Sequence, residues 1–543
     1  MKYASNTSKV QREDAVYYED FMHLSVNGND YPALKAAHDY ANSVGKKVIA
    51  EKNKSYTITD LLDKNGNYSA IKIKTDVDFG NAKILIDDTH LTSHLDPNNL
   101  DVFSVVSEYD AFFLSKEEIA DIFPNGIVAN SLERIKWKYN FPAMLVIINE
   151  EQRVYKRFGS AVYNDNPKIG HAQTELVVID KDGNVDPETT VMFDYSKVTD
   201  VKVFRIDEQP ITITGGIFTT KASSFVNKVN GVYRVDAIHR GFCAQRSNVT
   251  FMNVAHYVTN EVKAHPKDLN KKGAGYDRFF MAQNASDVTF ENCIFTARRY
   301  YSVRGSYDIT ANTANRVIVK NCTQSNFYVT DEYVLGENGN PTKMLSVKDN
   351  WYWGVCGSSG CKNFIYDGSV LSRYDSHTNL YNGKIINSKI TRIQLIGCGD
   401  MLIENTEIVP AGAALINLRM DYGATWRGNI TMRNCRVQND TDDSLCIVYM
   451  PWKNHDFGIR STMPNVAVDN LTLARKVPLY IFRGCEEELA NKEYLANDEK
   501  NLNPLNTAEY ITVYKCDGDE NEYLLKNYAY LSNTQISDSV KLI

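Results

Sequence analysis

The sequence predicts an all-β protein, a right-handed parallel β-helix with an N-terminal capping helix and a β-rich insertion. Three observations predict it. A frame of apolar-x-apolar-x-Asn/Gly recurs ten times, from Val77-Phe79-Asn81-Ile84 to Val466-Val468-Asn470-Leu473. Period-two alternation marks a strand, and a recurring Asn or Gly at one bend marks a turn in the left-handed region. The markers Gly215, Asn253, Asn292, Asn321, Gly368, Asn387, Asn405, Asn434 and Asn470 stand 18 to 47 residues apart. The shortest spacings are close to the least chain that holds three short strands and their turns, and the longer ones add a loop. Finally, Asn29–Ala41 reads as a helix, with Asp30 as N-cap, Pro32 in the first turn, Leu34, Ala37 and Ala41 on one face and Gly45 as the stop.

In chain order, residues 1–28 form a lead-in, and 29–86 hold the capping helix and first coil. The frame disappears over 87–209, where Met144–Ile148, Leu176–Ile179 and Val201–Phe204 are strand-like and Asp180–Asn184 is turn chemistry. This is the insertion. The solenoid core spans 210–481, and 482–543 form a C-terminal cap. Cys293, Cys322 and Cys435 each follow a marker Asn, where other coils carry mostly small residues, so they are expected as buried thiols stacked in the core.

Composition excludes some classes. The 543 residues carry 60 Lys+Arg against 67 Asp+Glu, a net charge of −7, which argues against nucleic acid as partner. No apolar run approaches the ~18 residues of a membrane helix. The first residues lack an apolar signal core, so the chain is either cytosolic or a mature form, and the expected location is secreted or at a cell surface. Tyrosine is in excess, at 33 against 22 Phe and 5 Trp. It suits sugar surfaces as well as strand interiors. No C-x-x-C, P-loop, Rossmann fingerprint or H-E-x-x-H is present, so no cofactor is expected, and a metal ion is left open without being indicated.

These repeats resemble the pectate-lyase-like superfamily, whose members carry an asparagine ladder at one turn. The resemblance covers about Asp30 to Ile481, and the helix at Asp30 looks like the cap of many extracellular β-helix enzymes. It implies that a glycan lies along one parallel sheet, in a groove walled by loops. The partner expected is therefore a polysaccharide or oligosaccharide, with monomer and trimer both open.

The strand before each ladder strand holds the candidates. Asp308, Asp375 and Asp421 fall at comparable places two rungs apart, roughly 10 Å, which brings them near the carboxyl spacing of an inverting glycosidase. Arg373, Asp375 and His377 share a face by alternation, and Gln394, Asn417 and Arg419 follow on later rungs. Trp351, Tyr352 and Trp353 read as a stacking platform, and Arg298, Arg299 and Arg304 as contacts for an acidic sugar. Asp375-Ser376-His377 resembles the D-x-H element of β-helix mannuronan C5-epimerases, with Ser where Pro is typical. That resemblance implies Asp375 and His377 in a catalytic site, with Tyr374 as the accompanying tyrosine. The polygalacturonase-like paired aspartates with Gly-His-Gly are absent, although Asp442-Asp443 is present.

The expected function is a glycoside hydrolase acting on a polysaccharide, with His377 and Arg373 supporting the carboxylates. The alternatives are a uronate lyase or epimerase using Asp375, His377 and Tyr374, and a non-catalytic tailspike-like adhesin.

Overall fold

Among the described residues the coils close by laying three strands in order, and the solenoid strands pair in parallel with counterparts in neighbouring coils. The computed structural model describes residues 14–158 apart from 64 and 94, 170–223, 228–229, 232–233, 238–260, 276–296, 308–325, 328–329, 357–485 apart from 411, 501–517 apart from 504 and 507, and 535–536. The result is a parallel β-helix. The first face runs through Ile211–Thr214, Val249–Met252, Val288–Glu291, Val317–Lys320 and their successors. The second follows the ladder bend, as in Ile217–Lys221 against Ala255–Thr259. The third carries the candidate residues, with Phe280–Gln283 against Ile309–Asn312 and Arg373–Asp375 against Arg392–Gln394.

The bend between first and second faces explains the frame. Asn253, Asn292, Asn321, Asn387, Asn405, Asn434 and Asn470 all have φ between 48° and 62°. Asn470 Nδ2 donates to Asn434 Oδ1 at 2.8 Å, and Asn405 Nδ2 to Asn387 Oδ1 at 3.3 Å. In the first coil the left-handed residue is Gly80 rather than Asn81, and it faces Gly215. The frame alone could not show this one-residue shift, because Gly80 and Asn81 both tolerate the bend.

Inside the bend runs a second ladder. Cys293 N–H donates to Cys322 Sγ at 3.4 Å, and Cys322 N–H to Ser369 Oγ at 3.0 Å. Ser369 N–H continues to Ser388 Oγ at 3.1 Å, and Ser388 N–H to Thr406 Oγ1 at 3.4 Å. The thiols and hydroxyls in turn donate to carbonyls, as Cys435 Sγ does to Ile403 O at 3.4 Å. Cys293, Cys322 and Cys435 are buried free thiols. A small side chain carrying one donor and one acceptor fits this column, so Cys, Ser and Thr alternate in it.

Helix Tyr31–Val44 buries Leu34, Ala37, His38 and Ala41 against the first coils and ends at Gly45, φ 67°. The Asp30 carboxylate accepts from Thr57 N–H rather than capping the helix. The strand Phe103–Val106 belongs to the solenoid, pairing with Ile71–Ile73 and with Phe242–Gln245. Near the other end, Ile511–Val513 adds a further rung on Val466–Val468. No helix among the described residues is long and apolar enough to cross a membrane.

The insertion folds as a four-stranded antiparallel sheet in the order Phe112–Phe113, Asp200–Arg205, Ala143–Val154, His171–Ile179. It has its own core, including Leu145, Ile147, Val177, Val201 and Val203. It packs along the solenoid corner that leads from the third face into the next first-face strand. Glu175 and Lys362 meet there at 3.2 Å with almost no solvent exposure. Burial pushes the Glu175 carboxyl up and the Lys362 ammonium down, each resisted by the other's charge. Lys362 also donates to Thr189 O at 3.0 Å, and Glu175 accepts from Met192 N–H at 2.7 Å. Arg316 bridges to Asp186 and Glu188 of the insertion at 3.1 and 3.2 Å.

Candidate functional site

The third face sets the register of the site. Asp375 faces Gln394, which faces Asn417, which faces Tyr449, which faces Arg483. Tyr374, one residue earlier, points into the core because strand residues alternate. After Asn417 and Leu418 the chain leaves the sheet, and Met420–Tyr422 form a short 3-10 turn ending at Gly423, φ 99°. That turn returns Asp421 and Tyr422 over the strand that carries Asp375.

Arginines join the two carboxylates. Arg419 Nη1 donates to Asp375 Oδ1 and Oδ2 at 2.9 and 3.2 Å, and its Nε and Nη2 donate to Asp421 at 3.1 and 2.9 Å. Arg373 donates to Asp375 and, at 2.6 Å, to Gln394 Oε1. Arg157, reaching in from the insertion, donates to Asp421 Oδ2 at 3.0 Å. Phe158 N–H donates to Asp421 O at 2.8 Å and Lys156 N–H to Phe457 O at 3.0 Å, which pins this stretch of the insertion on the site. Asp375 has no exposed surface, whereas the Asp421 side chain is 23% exposed and that of Arg157 27%.

Electrostatics separate the roles. Burial alone would raise the Asp375 carboxyl, but Arg373, Arg419 and His377 outweigh it and hold it below the usual range. Asp421 behaves alike: burial raises it, and Arg419 followed by Arg157 and His377 pull it down. His377 is lowered to about 4, first by burial and then by Arg419, so its imidazole is neutral at pH 7. Its Nδ1 lies 3.2 Å from the Tyr422 hydroxyl. The Tyr422 ring in turn lies under Arg157 and Arg419, at 5.5 and 5.3 Å. Three guanidiniums thus face two ionised carboxylates beside a neutral imidazole.

The structure brings together Arg373, Asp375, His377, Gln394, Arg419 and Asp421 from the sequence-based set. Asp308 does not join them. Its carboxylate is buried against His256 Nδ1 at 2.7 Å, and His256 Nε2 contacts Thr220 Oγ1 at 2.9 Å. Asp308 precedes Ile309 at a corner, where the chain bends and alternation no longer fixes a direction. Tyr374 is corrected as well: it is fully buried, its hydroxyl donates to Phe364 O at 2.9 Å, and it cannot touch a ligand in the groove. Trp351, Tyr352, Trp353, Arg298, Arg299 and Arg304 lie outside the described residues. Two site members escaped the sequence reading. Tyr422 sits next to a named aspartate and takes the place beside His377 that Tyr374 was given. Arg157 had no signal, because nothing in the repeat says where an insertion lands.

Beyond Gln394 the face opens into a hollow of about 560 Å³, lined by Arg392, Asn417, Tyr449 and Arg483 among others. Tyr449 is 40% exposed. An exposed tyrosine between arginines and an amide supplies a flat apolar surface with flanking donors. Among the described residues no group of three or more His, Cys, Asp or Glu side chains is placed to hold a metal ion.

No protein-family model matches the chain, and no curated protein matches it. Among solved structures it is similar to the Gp54 tailspike of Acinetobacter baumannii bacteriophage AP22 in complex with A. baumannii capsular saccharide. Identity is 8%, with 96% of this chain and 79% of that one covered at a TM-score of 0.47. It is similar to the tailspike protein gp49 from Pseudomonas phage LKA1 at 13% identity, 90% and 74% coverage and a TM-score of 0.41. The Yersinia enterocolitica family 28 exopolygalacturonase is similar at 10% identity, 87% and 78% coverage and a TM-score of 0.27. At such identities the likeness is one of fold alone.

Proposed function

We propose that this chain binds an anionic polysaccharide along its third face and degrades it beside Asp421, acting outside the cell or at its surface. One observation carries the reading. The arginine–aspartate cluster and the Tyr449 hollow lie in register on one face, three rungs apart. Asp421 is the partly exposed carboxylate and therefore the group that reaches a substrate. Asp375, saturated by two guanidiniums, positions Arg373 and Arg419.

For a hydrolase, the ionised Asp421 activates water or attacks the anomeric carbon. The lowered acidity ranges leave proton delivery to a group other than these two carboxylates. A second reading is favoured by the hydrogen bond of His377 to Tyr422. In a uronate lyase or epimerase a neutral imidazole takes the C5 proton while Arg157 neutralises the sugar carboxylate; elimination then breaks the C4–O bond, whose oxygen leaves with a proton from solvent, whereas epimerisation returns a solvent proton to the opposite face of C5.

Incubation with neutral, carboxylated and sulfated polysaccharides tests both. New reducing ends without the ultraviolet absorbance of an unsaturated uronate support hydrolysis, and that absorbance supports elimination. Binding without turnover across the panel sinks both and leaves an adhesin.

A further inference from the structure

The same face carries a second cationic hollow, far from the arginine–aspartate cluster. It measures about 480 Å³ and lies where the insertion leaves the solenoid. Lys72 and Gln245 line it from the sheet, and Tyr109 and Arg205 from the insertion. Lys72 shares a row with Asp375: Lys72, Ser104, Cys243, Met281, Thr310, Gly357 and Asp375 face one another in turn. Six rungs separate the ends, about 30 Å at ~4.8 Å per rung.

The charge of this hollow is partly spent. Lys74 pairs with Glu108 at 2.8 Å, and the buried Arg246 lies 3.8 Å from Asp207. Arg205 is different. Its guanidinium lies 3.7 Å over the Tyr109 ring and 4.9 Å from the Phe141 ring. Stacking of this kind fixes the plane of the guanidinium and leaves its N–H edge free to donate. Among the described residues neither the Arg205 guanidinium nor the Lys72 ammonium makes an ion pair or hydrogen bond, and Asp110 is the one lining carboxylate besides Glu108. A stacked guanidinium, a lysine and Tyr109, 43% exposed as a residue, form a recess suited to a sugar that bears a negative charge.

We infer that this recess is a remote subsite for an anionic sugar residue, carboxylated or sulfated, of the same glycan chain that reaches Asp421. The inference rests on the proposed function. It gives the insertion two contacts with one ligand, Arg205 at its root and Arg157 at the cluster, so that the glycan must be long to use both.

Calorimetric titration with long and short fragments of a polyuronate, and of heparin as the sulfated probe, tests it. Arg205→Ala and Lys72→Ala are each expected to weaken long-fragment binding about tenfold. Fragments too short to span both sites keep their affinity, and Arg205→Lys recovers part of the loss. The exposed Lys72 is removed without disturbing the Arg205 stack, so the pair of variants separates ligand contact from folding. Unchanged long-fragment affinity in both variants, with the wild type binding normally, overturns the subsite and leaves the proposed function standing. Failure of the wild type to bind any anionic probe overturns both. The probe that responds to the substitutions identifies the anion.

Discussion

Asp308 stands at the corner that leads into the third face and Asp375 on that face, two rungs apart by the pairing of Thr310 with Gly357 and Gly357 with Asp375. Their surroundings are opposite. Asp308 reaches His256, which occupies an inward column otherwise built of side chains such as Phe218 and Phe295. The two side chains satisfy each other as buried polar groups. Asp375 is just as buried, but its partners Arg373 and Arg419 continue outward to Gln394, Asp421 and Arg157. A buried carboxylate hydrogen-bonded to an inward imidazole is a structural tie. One that anchors a connected set of cations at the surface builds a site.

Breaking each tie should separate them. Asp375→Ala strips two nearly buried guanidiniums of their counter-charge and is expected to cost about 3–5 kcal/mol in urea unfolding, with loss of glycan binding. Asp308→Asn keeps the shape and weakens the charge-assisted bond to His256, for about 1–3 kcal/mol, with glycan binding unchanged. A larger loss at Asp308 than at Asp375 would reverse the comparison.

Acid sharpens it further. His377 is held near 4 in the folded protein against an unfolded value near 6.5, so its neutral form favours folding above pH 6.5 and that contribution fades as pH falls toward 4. Thermal melts from pH 7 to pH 4 should show declining stability. His377→Gln should flatten that decline by about 3 kcal/mol. His38, lowered to about 3 by burial, adds a decline in the same direction that the substitution leaves in place. An identical pH profile in the variant would remove His377 from the account.

Much of this was legible beforehand, and the reasons it was or was not are local. The bend demanded a left-handed residue in every coil, so Asn253, Asn292 and the rest announced the solenoid. Alternation placed Arg373 and Asp375 on one side of a regular strand and should have sent Tyr374 to the other. It failed at Asp308, where a corner replaces the strand. Asp421 lies on a turn rather than a strand, yet stayed close because Met420–Tyr422 fold straight back. Arg157 was invisible because its approach depends on the Glu175–Lys362 lock between two separately folded parts.

The central claim, that chemistry occurs at Asp421 between Arg157 and Arg419, is tested most directly by Asp421→Asn assayed on whichever polysaccharide the wild type degrades. Asp421 is partly exposed and the amide keeps its shape, so the substitution should cost about 1–3 kcal/mol of stability. The expected outcome is a folded variant that still binds the glycan and releases no products. A variant that degrades the glycan at the wild-type rate would contradict it.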